Sequence, residues 1–596
     1  MLLGILVGYK DEIPEEIQEN FKESNISHIL AVSGLHVSYI IIAVSKSLEK
    51  IQGKRRSKIT TIFFIILYMF ITNFSPSVVR ASLMVITSIL AKLTYNKNDI
   101  WTSMSISLLI ILVYNPYLII STGVLLSYAG TIGIIIFQKS ISMFLAKIKF
   151  KNEIYKYNSK IMGIIDYIQD TLVVSFSVQI PIWPIIAKMY NTISLSFFIT
   201  NFLVSPIIGP IIICGILFII SNYLFPRFIT LIIKFIIENL LQILITISNL
   251  GKHLPFNKIY LLTPKIWQIL IYYIFIYIVN ILYKISTKRK LTVFQKRIIN
   301  WKNLAKHLLR KNLQKVVIII LCVTLTLTII KISPNNFKVY FIDVGQGDST
   351  LIITPQGKTI LIDGGGSENY DVGKNILLPY LLDRKVTNLD YVIISHFDTD
   401  HVGGILTVLE ELNVKKVITG KQYESSENYE KFLRIVKSKN ILVKQVQKGD
   451  MINVENDVKI KVLFPEEKMI EENSINNNSL VFKLMYKEFS ILFTGDIERI
   501  SEERLVKLYS NTNILKSTIL KVAHHGSKTS SIQEFLELVH PKIALIGVGK
   551  NNLYGHPNQE VIERLEVFCA KIYRTDNEGE ITIEVNKRIK IKKMLN

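Results

Sequence analysis

The sequence predicts a polytopic α-helical membrane domain of about ten transmembrane helices, followed by a soluble α/β domain. Three observations support this. Apolar residues make up 49% of the 596 residues, and the mean hydropathy is +0.34, which is high for a soluble protein. Apolar runs of membrane-spanning length recur through the first half of the chain. After Pro334 the sequence changes to short β-rich runs that are broken by Gly and Asp.

The membrane domain is expected over residues 29–332, where most apolar runs approach the ~20 residues that a helix needs to cross the hydrocarbon. A few runs are short, so the count carries a margin of one or two. The predicted spans are residues 29–46, 59–73, 79–94, 101–114, 118–137, 168–190, 193–221, 228–250, 261–283 and 316–332.

Charge gives an orientation to these spans. The net charge of +23 comes entirely from the membrane half, because residues 337–596 carry 35 basic and 35 acidic side chains. Basic loops at 46–58, 139–160 and 284–315 predict cytoplasmic sides under the positive-inside rule. Residues 1–28 then form a short extracytoplasmic segment, and the last span carries residues 337–596 outward. The basic excess is therefore first a topology signal and not a nucleic-acid footprint.

Polar residues inside the apolar runs favour a conduit over a plain anchor. We single out Ser33, His36, Arg80 and Asn201, because polar or ionisable groups at membrane depth are costly and mark function by default. Repeated Pro and Gly breaks are tolerated where a helix is buried or lines a wet cavity. Snorkelling of Arg80 from a helix end, or a helix–helix hydrogen bond from His36, remain alternatives.

In the soluble half, acidic and imidazole side chains fall where predicted strands stop. The stretch "SHFDTDHVGG" follows one strand and opens a helix, and "FTGD" and "HHGS" end two others. A site on the rim of two sheets is expected. The predicted metal ligands are His396, Asp398, Asp400, His401, Asp496 and His525, with His524 as the alternative to His525.

Two divalent ions at such a rim would lower the pKa of a shared water and hold the attacking and leaving oxygens of a displacement. Asp398 stands among these ligands where a further imidazole would make a softer site. That carboxylate shifts the preference from Zn²⁺ toward Mn²⁺ or mixed occupancy. The sequence therefore predicts a metal-dependent hydrolase in this half.

Together, "HFDTDH", "FTGD" and "HHGS" resemble the metallo-β-lactamase superfamily, which has an αβ/βα sandwich fold. More narrowly, "VYFIDVGQGDSTLI", "ILIDGGG", "LKVAHHGSKTSS" and "YGHP" resemble the C-terminal domain of ComEC-type DNA-internalisation competence proteins. In the membrane half, "SHILAVSGLHVS", "SPSVVRASLM" and "NPYLIISTGVLLSYAGTIGI" resemble the competence domain of the same family. The resemblance covers residues 8–585.

That resemblance implies a membrane channel that admits single-stranded DNA during natural transformation, and a nuclease that degrades the other strand of double-stranded DNA. It implies that Asp400 holds or deprotonates the attacking water, and that His524 contacts the scissile phosphate or protonates the leaving oxygen. Candidates for substrate binding are Asn478 and Ser479, where many superfamily members have another His, and His556 of "YGHP". Implied partners are DNA, a DNA receptor, a cytoplasmic translocase, membrane lipid and a second copy of the chain.

One departure from the family is expected. Its members usually carry further N-terminal spans and an OB-like domain, whereas this sequence begins with "MLLGILVGYKDEIPEEI". Either the sequence is a fragment of a longer chain or this lineage has lost the module. OB-like folds bind single strands by stacking. Two other functions remain open: a membrane-anchored metallo-hydrolase for a non-nucleic ester or lactam, and a transporter whose outer domain is vestigial.

Overall fold

The computed structural model describes residues 1–146, 159–286, 336–423, 425–568, 571–586 and 588–595. The described chain divides into two units, which we call the N-terminal unit (residues 1–286) and the C-terminal unit (residues 336–595). The first is helical and the second is built on two β-sheets.

The N-terminal unit consists of helices that follow the apolar runs closely. Its helices are α1 (Leu2–Val7), α2 (Glu15–Glu23), α3 (Gly34–Ile71), α4 (Pro76–Leu93), α5 (Ile100–Tyr114), α6 (Thr122–Ala146), α7 (Ser159–Tyr190), α8 (Phe197–Leu224), α9 (Arg227–Gly251) and α10 (Ile266–Ser286). A two-stranded ribbon, β1 (Thr192–Ile193) with β2 (Ile259–Tyr260), joins the ends of α7 and α9.

Within the described residues, five helices are long and apolar enough to cross a membrane, namely α4, the greater part of α6 and of α7, α8 and α9. Helix α5 and the segment Ile266–Ile281 of α10 are apolar but shorter. Helix α3 covers the first two predicted spans and is broken at Gly53, which has φ 76° and ψ 165°. The predicted span 316–332 lies outside the described residues. The membrane class is thus supported, and the count of ten crossings stays a prediction.

Residues 1–30 pack into the N-terminal unit. Ile5 and Phe21 are fully buried in one apolar cluster with Ile211 of α8 and Leu244 of α9. The Tyr68 hydroxyl on α3 donates to the Leu6 carbonyl at 2.8 Å. The sequence predicted only a short outer segment here, because residues 9–28 are mostly polar. Several of the few apolar side chains among them are buried by the tertiary structure. The side of the membrane on which it lies stays a prediction.

Proline breaks in α7 are compensated by neighbouring helices. Pro184 has no N–H for the Ile180 carbonyl four residues earlier, and the Tyr272 hydroxyl on α10 donates to that oxygen at 2.8 Å. Pro181 leaves the Ser177 carbonyl without its helical donor in the same way. A Cβ on Gly133 of α6 would overlap that oxygen, so glycine permits the close approach of α6 to α7.

The C-terminal unit contains two sheets that enclose an apolar core. In the part that the structure describes, one of these sheets has eight strands and the other has seven. Phe337 and Phe341 from the first sheet meet Tyr486 and Phe493 from the second in this core. Helices Arg499–Tyr509, Gln533–Val539 and Gln559–Phe568 supply part of a second apolar cluster with the seven-stranded sheet.

The strands are β3 (Phe337–Phe341), β4 (Thr350–Ile353), β5 (Thr359–Ile362), β6 (Asn388–Leu389), β7 (Tyr391–Ile394), β8 (Asn413–Val414), β9 (Lys416–Gly420), β10 (Leu442–Val446), β11 (Met451–Glu455), β12 (Val458–Phe464), β13 (Val481–Tyr486), β14 (Phe489–Phe493), β15 (Ile519–Lys521), β16 (Ile543–Ile546), β17 (Lys571–Arg574), β18 (Ile581–Val585) and β19 (Ile589–Lys593). The helices are α11 (Leu378–Asp383), α12 (Thr399–Glu411), α13 (Glu427–Ser438), α14 (Ser474–Asn477), α15 (Arg499–Tyr509), α16 (Gln533–Val539), α17 (Gln559–Phe568) and α18 (Thr575–Glu578).

Parallel strand pairing brings the predicted motifs together. Strands β5, β7, β9 and β10 are parallel neighbours in one sheet, and β14, β15, β16 and β17 in the other. The carboxyl ends of parallel strands meet at one edge of a sheet. Loops carrying Asp363 and His396 therefore leave one sheet edge, and loops carrying Asp496 and His525 leave the other. The eight-stranded sheet has the order β10-β9-β7-β5-β4-β3-β18-β19, and the seven-stranded sheet runs from β11 to β17 in sequence order. Strands β3, β4 and β5 form a meander, and the predicted helix after "SHFDTD" is confirmed.

Candidate metal centre

Four buried side chains converge between the two sheet edges. They are Asp348, His401, Asp496 and His525, and each offers one ligand atom within 4.8 Å of the others. The Nε2 atoms of His401 and His525 lie 3.3 Å apart. The Asp496 carboxylate lies 3.1 Å from the first and 3.3 Å from the second.

Hydrogen bonds at the other ring nitrogens aim both imidazoles at this point. His401 donates from Nδ1 to the Asp363 carboxylate at 3.1 Å, and His525 donates from Nδ1 to the Gly547 carbonyl at 2.7 Å. This arrangement leaves both Nε2 lone pairs facing the carboxylates, which is how metal-binding histidines are usually oriented. The donor set of two imidazoles and two carboxylates fits a divalent metal ion.

The other predicted ligands adjoin this group. Asp400 places a carboxylate oxygen 3.2 Å from His525 Nε2. The His396 ring centroid lies 4.1 Å from that of His401, and its Nε2 is 3.8 Å from the Asp398 carboxylate. His396 Nε2 is buried and has no hydrogen-bond partner among the described residues. All six side chains therefore lie in one contiguous cluster, and their roles as ligands stay predictions.

The electrostatics of the cluster favour cations. Although burial acts in the opposite direction, the carboxylates of Asp496 and Asp348 raise the pKa of His525 to about 10. Burial and the neighbouring His401 imidazole lower the pKa of His396 to about 3, although nearby carboxylates act in the opposite direction. Burial would raise the pKa of Asp400, but the nearby imidazoles of His525 and His401 hold it well below its usual range. Concentrated negative charge that attracts protons to histidines also attracts a divalent ion, which then replaces those protons.

Two glycine-rich segments allow the carboxylates to reach the cluster. A Cβ on Gly366 would overlap the Thr399 carbonyl, and one on Gly404 would overlap the Gly364 carbonyl. The "GGG" after β5 therefore packs directly on the first turns of α12, where the Gly364 N–H donates to the His401 carbonyl at 2.7 Å. This contact keeps Asp363 beside the His401 ring.

The "HHGS" turn has an unusual backbone. His524 and His525 are consecutive residues in the left-handed region, with φ 49° and 54°. Such conformations are uncommon for residues with side chains and concentrate at functional sites. The two imidazoles point differently as a result. His525 enters the cluster, whereas the partly exposed His524 places Nδ1 3.5 Å from the Glu498 carboxylate.

The candidate substrate contacts have mixed placements. The Asn478 side chain is hydrogen-bonded to nearby backbone. Its amide oxygen accepts from the Ile470 N–H at 2.8 Å, and its amide nitrogen donates to the Ser474 carbonyl at 2.6 Å. The Ser479 hydroxyl accepts from the Asp496 N–H at 3.3 Å. His556 is partly exposed, and its ring lies 5.8 Å from that of His524. Ser479 thus adjoins the buried cluster, His556 lies at its exposed rim, and the Asn478 side chain is bonded away from both.

Three buried residues of the site were missed by the sequence reasoning. Asp348 ends the turn "GQGD" that precedes β4, and Asp363 directly follows β5. The expectation that acids at strand ends form the site therefore applied to Asp363. Lys521 lies within a strand; its ammonium contacts the Asp348 carboxylate and lies 3.4 Å from that of Asp496. A lone charge in the apolar run "STILKVA" was the available signal.

In the N-terminal unit, three of the four predicted channel residues meet. Ser33 precedes α3, and its hydroxyl lies 2.9 Å from Nδ1 of His36 in the first turn. A Cβ on Gly34 would lie 3.2 Å from Arg80 Nη2. Arg80 is 9% exposed; it donates to the Thr131 hydroxyl and lies over the Tyr128 ring at 5.7 Å. Asn201 lies on α8 and is half-buried.

Comparison with known proteins agrees with this architecture. Residues 342–550 match the metallo-beta-lactamase superfamily, so the C-terminal unit is a metallo-β-lactamase-fold hydrolase domain with a candidate metal site. Residues 5–285 match the family described as competence protein. The chain is thus a competence-family membrane domain fused to a metallo-β-lactamase domain, and the predicted family is confirmed.

Whole-chain relatives have the same pairing in the same order. ComE operon protein 3 of Bacillus subtilis is 26% identical over 98% of this chain and 71% of its own length. Recombination protein 2 of Haemophilus influenzae is 24% identical over 98% of this chain and 71% of its own length. Among solved structures, CmlA, a diiron beta-hydroxylase from Streptomyces venezuelae, aligns with 42% of this chain and 54% of its own at 13% identity and a TM-score of 0.28.

Proposed function

We propose that this chain is a DNA-uptake protein of natural transformation. The membrane domain would pass single-stranded DNA across the cytoplasmic membrane, and the metallo-β-lactamase domain would be a two-metal nuclease that degrades the non-transforming strand. The observation that supports this most directly is the buried convergence of Asp348, His401, Asp496 and His525, in a chain whose other half belongs to the competence family.

The composition of the cluster favours a phosphodiester over a lactam. Asp398 lies beside His396, where a third imidazole would have made a softer site. With Asp400 and the buried Asp348 and Asp496, the cluster is rich in hard oxygen ligands, which suit Mn²⁺ as well as Zn²⁺. Two bound divalent ions would activate a water and hold the two oxygens of an in-line displacement.

The protein's own residues would then have separate tasks. Asp400 places a carboxylate oxygen 3.2 Å from His525 Nε2 at the edge of the buried group, a position that suits a carboxylate that holds or deprotonates the attacking water. His524 is outside the buried group and partly exposed, 3.5 Å from Glu498. That position suits a side chain that meets the scissile phosphate and gives a proton to the leaving oxygen.

The test uses the purified full-length chain in detergent or nanodiscs with Mn²⁺ and end-labelled DNA. Wild type should cut DNA, and Asp400→Ala should abolish cleavage. The control Asp390→Ala removes an acid that pairs with Lys415 in the same domain and should leave the rate unchanged. Cleavage of an ester or lactam without cleavage of DNA would overturn the nuclease proposal and favour a membrane-anchored hydrolase.

Arg80 and His36 are the groups that we propose line the DNA path, together with Ser33 and Asn201. Arg80 faces the start of α3, where the helix dipole adds positive charge. His36 Nε2 is buried and has no hydrogen-bond partner among the described residues. A phosphodiester chain would provide the missing acceptors.

This part of the proposal is tested in a naturally competent host that lacks its own uptake protein. Arg80→Gln should abolish transformation while the purified variant still cuts DNA, and Arg80→Lys should retain part of the uptake. Lys92→Gln is the matched control, because Lys92 is a cation near the end of the same helix. Normal transformation by Arg80→Gln would remove Arg80 from the path.

The proposed topology places residues 1–28 outside, a channel over residues 29–332 with about ten crossings, and residues 337–596 outside. A DNA receptor would then deliver DNA on the outer side and a translocase would draw it in on the cytoplasmic side, with lipid and a second chain copy as further partners. A cysteine in place of Lys421 should react with an impermeant maleimide in intact cells. Labelling only after lysis would reverse the orientation.

A further inference from the structure

An exposed aromatic turn stands beside the candidate metal centre. It comprises residues 549–557, between β16 and α17, and we call it the YGHP turn. At its tip Leu553 is fully exposed and Tyr554 is 71% exposed. Large apolar side chains in the open favour an interaction partner where they are held in a fixed orientation.

The YGHP turn is held firmly in place. The Asn552 amide donates to the Gly549 carbonyl at 3.1 Å and the His556 carbonyl at 2.7 Å, and its oxygen accepts from the His556 N–H at 3.0 Å. The Gly549 N–H donates to the Gln346 side chain at 3.2 Å. These bonds fix the backbone before any ligand arrives, so that little conformational entropy is lost on binding.

The turn is also attached to the "HHGS" turn that supplies the site histidines. The Asn558 N–H donates to the Gly526 carbonyl at 2.8 Å. A Cβ on Gly526 would lie 2.7 Å from Pro557 Cβ, so the two turns pack against each other. The position of Tyr554 is thereby set relative to the metal centre.

Three rings lead from the surface to that centre. Tyr554 and His556 are stacked, with centroids 5.9 Å apart and planes 13° apart. His556 meets His524 edge-on at 5.8 Å and 62°. His524 is followed directly by His525, whose Nε2 lies 3.2 Å from Asp400. Tyr554 thus presents an aromatic face to solvent at the outer end of a continuous ring series.

We propose that the Tyr554 ring, supported by His556, is a stacking platform for a nucleobase next to the scissile phosphodiester. Aromatic side chains bind bases of single strands in this way without reading sequence. Exposed Lys528 and Lys550 lie on the same two turns and add positive charge for the backbone phosphates. The inference rests on the proposed nuclease function and adds a preference for unpaired strand.

The experiment measures kcat and KM of the full-length chain with Mn²⁺ on short single-stranded oligonucleotides, each abasic at one successive position. Tyr554→Ala should raise KM about 5- to 150-fold, as expected for losing one stacked base, with little change in kcat. On the oligonucleotide that is abasic at the contacted position, wild type and Tyr554→Ala should have equal KM. This non-additivity identifies the contact.

Two variants separate stacking from a structural role. Tyr554→Trp should keep KM near the wild-type value, because it retains an aromatic face. Leu553→Ala, at the fully exposed neighbouring position, should change KM less than about two-fold. In an Asp400→Ala background, the fluorescence of 2-aminopurine at the contacted position should be quenched by the chain that keeps Tyr554. The chain that also carries Tyr554→Ala should not quench it.

The failures are distinguishable. If wild type does not cut DNA at all, the nuclease function itself is wrong. If wild type cuts DNA, and Tyr554→Ala has the wild-type KM on every oligonucleotide, the stacking platform is wrong and the nuclease function stands. A KM increase of the same size on all abasic substrates would assign Tyr554 a structural role and also overturn the platform.

Discussion

In the C-terminal unit the buried carboxylates and imidazoles of the metal centre contact one another, whereas in the N-terminal unit Arg80 and the carbonyl freed by a proline are each met by a single hydroxyl. Asp496 lies within 3.3 Å of two imidazoles. By contrast, Arg80 donates to the Thr131 hydroxyl and faces Tyr128, and the Ile180 carbonyl that Pro184 leaves free accepts from Tyr272.

The difference follows from the backbone of each unit. Parallel strands end at a common sheet edge, so residues far apart in sequence are concentrated at one place. Long helices have no such common edge, and their polar residues are distributed along the spans. One unit is therefore organised to hold concentrated charge, and the other to tolerate isolated polar groups in apolar surroundings.

The largest loss of stability should come from adding a Cβ atom at Gly366, where two backbone segments pack together behind the metal centre. Gly366→Ala places a Cβ on the Thr399 carbonyl, a backbone atom that cannot turn aside, and should destabilise the domain by about 3 kcal/mol or more. Thermal unfolding of the full chain measures it. Gly420→Ala, whose Cβ would find ordinary contacts at 3.5 Å or more, should shift unfolding far less; equal shifts would contradict the packing argument.

Glu502 tests whether the C-terminal unit tolerates a buried charge outside the metal centre. Burial raises its pKa to about 7, although N–H groups of Ser531 and Ile532 donate to it. The folded state holds the Glu502 proton more tightly than the unfolded chain does. The free energy of unfolding is therefore highest below about pH 4.5, and it falls by on the order of 3 kcal/mol as pH rises through about 7.

Thermal unfolding of Glu502→Gln against wild type from about pH 4.5 to 8 measures this. The variant should lose the decline with pH, although one backbone N–H loses its acceptor and lowers stability at every pH. Glu503→Gln, at the exposed neighbouring position, should keep the wild-type pH dependence. A decline of equal size in Glu502→Gln would show that another group causes it.

Asp363 should act on the metal centre through His401. Asp363→Asn weakens the hydrogen bond that orients the ring and should reduce metal affinity about 10- to 100-fold, as losses of such partners typically do. Competition with a chromogenic chelator measures the affinity directly, without reference to activity. Asp371→Asn, an exposed acid on the following loop, should leave affinity unchanged. Unchanged affinity in Asp363→Asn would show that the ring is oriented by other contacts.

The smallest effect is expected at the proline break. Tyr272→Phe leaves the Ile180 carbonyl without a donor and should cost about 1 kcal/mol. Thermal unfolding of the chain in nanodiscs measures the shift. Tyr223→Phe, at an 81% exposed position on α8, is the control and should not change stability. If Tyr272→Phe did not change thermal stability, other groups would have to compensate for the break in the helix.

Sequence patterns predicted the elements of the C-terminal unit well. Strands were predicted before "SHFDTDHVGG", "FTGD" and "HHGS", and β7, β14 and β15 lie there. Residues adjacent in sequence, such as His396 and Asp400, could be assigned to one loop by inspection. Asp348 was harder to find, because its turn carries only one acid and its place beside His401 depends on how β3 and β4 enter the sheet.

In the N-terminal unit the sequence predicted the apolar runs, but not the burial of residues 1–30. Helix α2 alternates charged and apolar side chains in a way that suits a surface. Only the packing of Phe21 and Ile5 against α8 and α9 shows that the segment is part of the helical bundle.

The sequence by itself determined the order of the two domains, their classes and the six residues that cluster as candidate ligands, because hydropathy and strand-end motifs are local properties of the chain. The tertiary structure alone decided that Asp348, Asp363 and Lys521 join the centre, that His524 turns away from it, and that Tyr554 stands beside it. Those placements depend on sheet order, left-handed backbone angles and glycine contacts between distant segments, which no local pattern specifies.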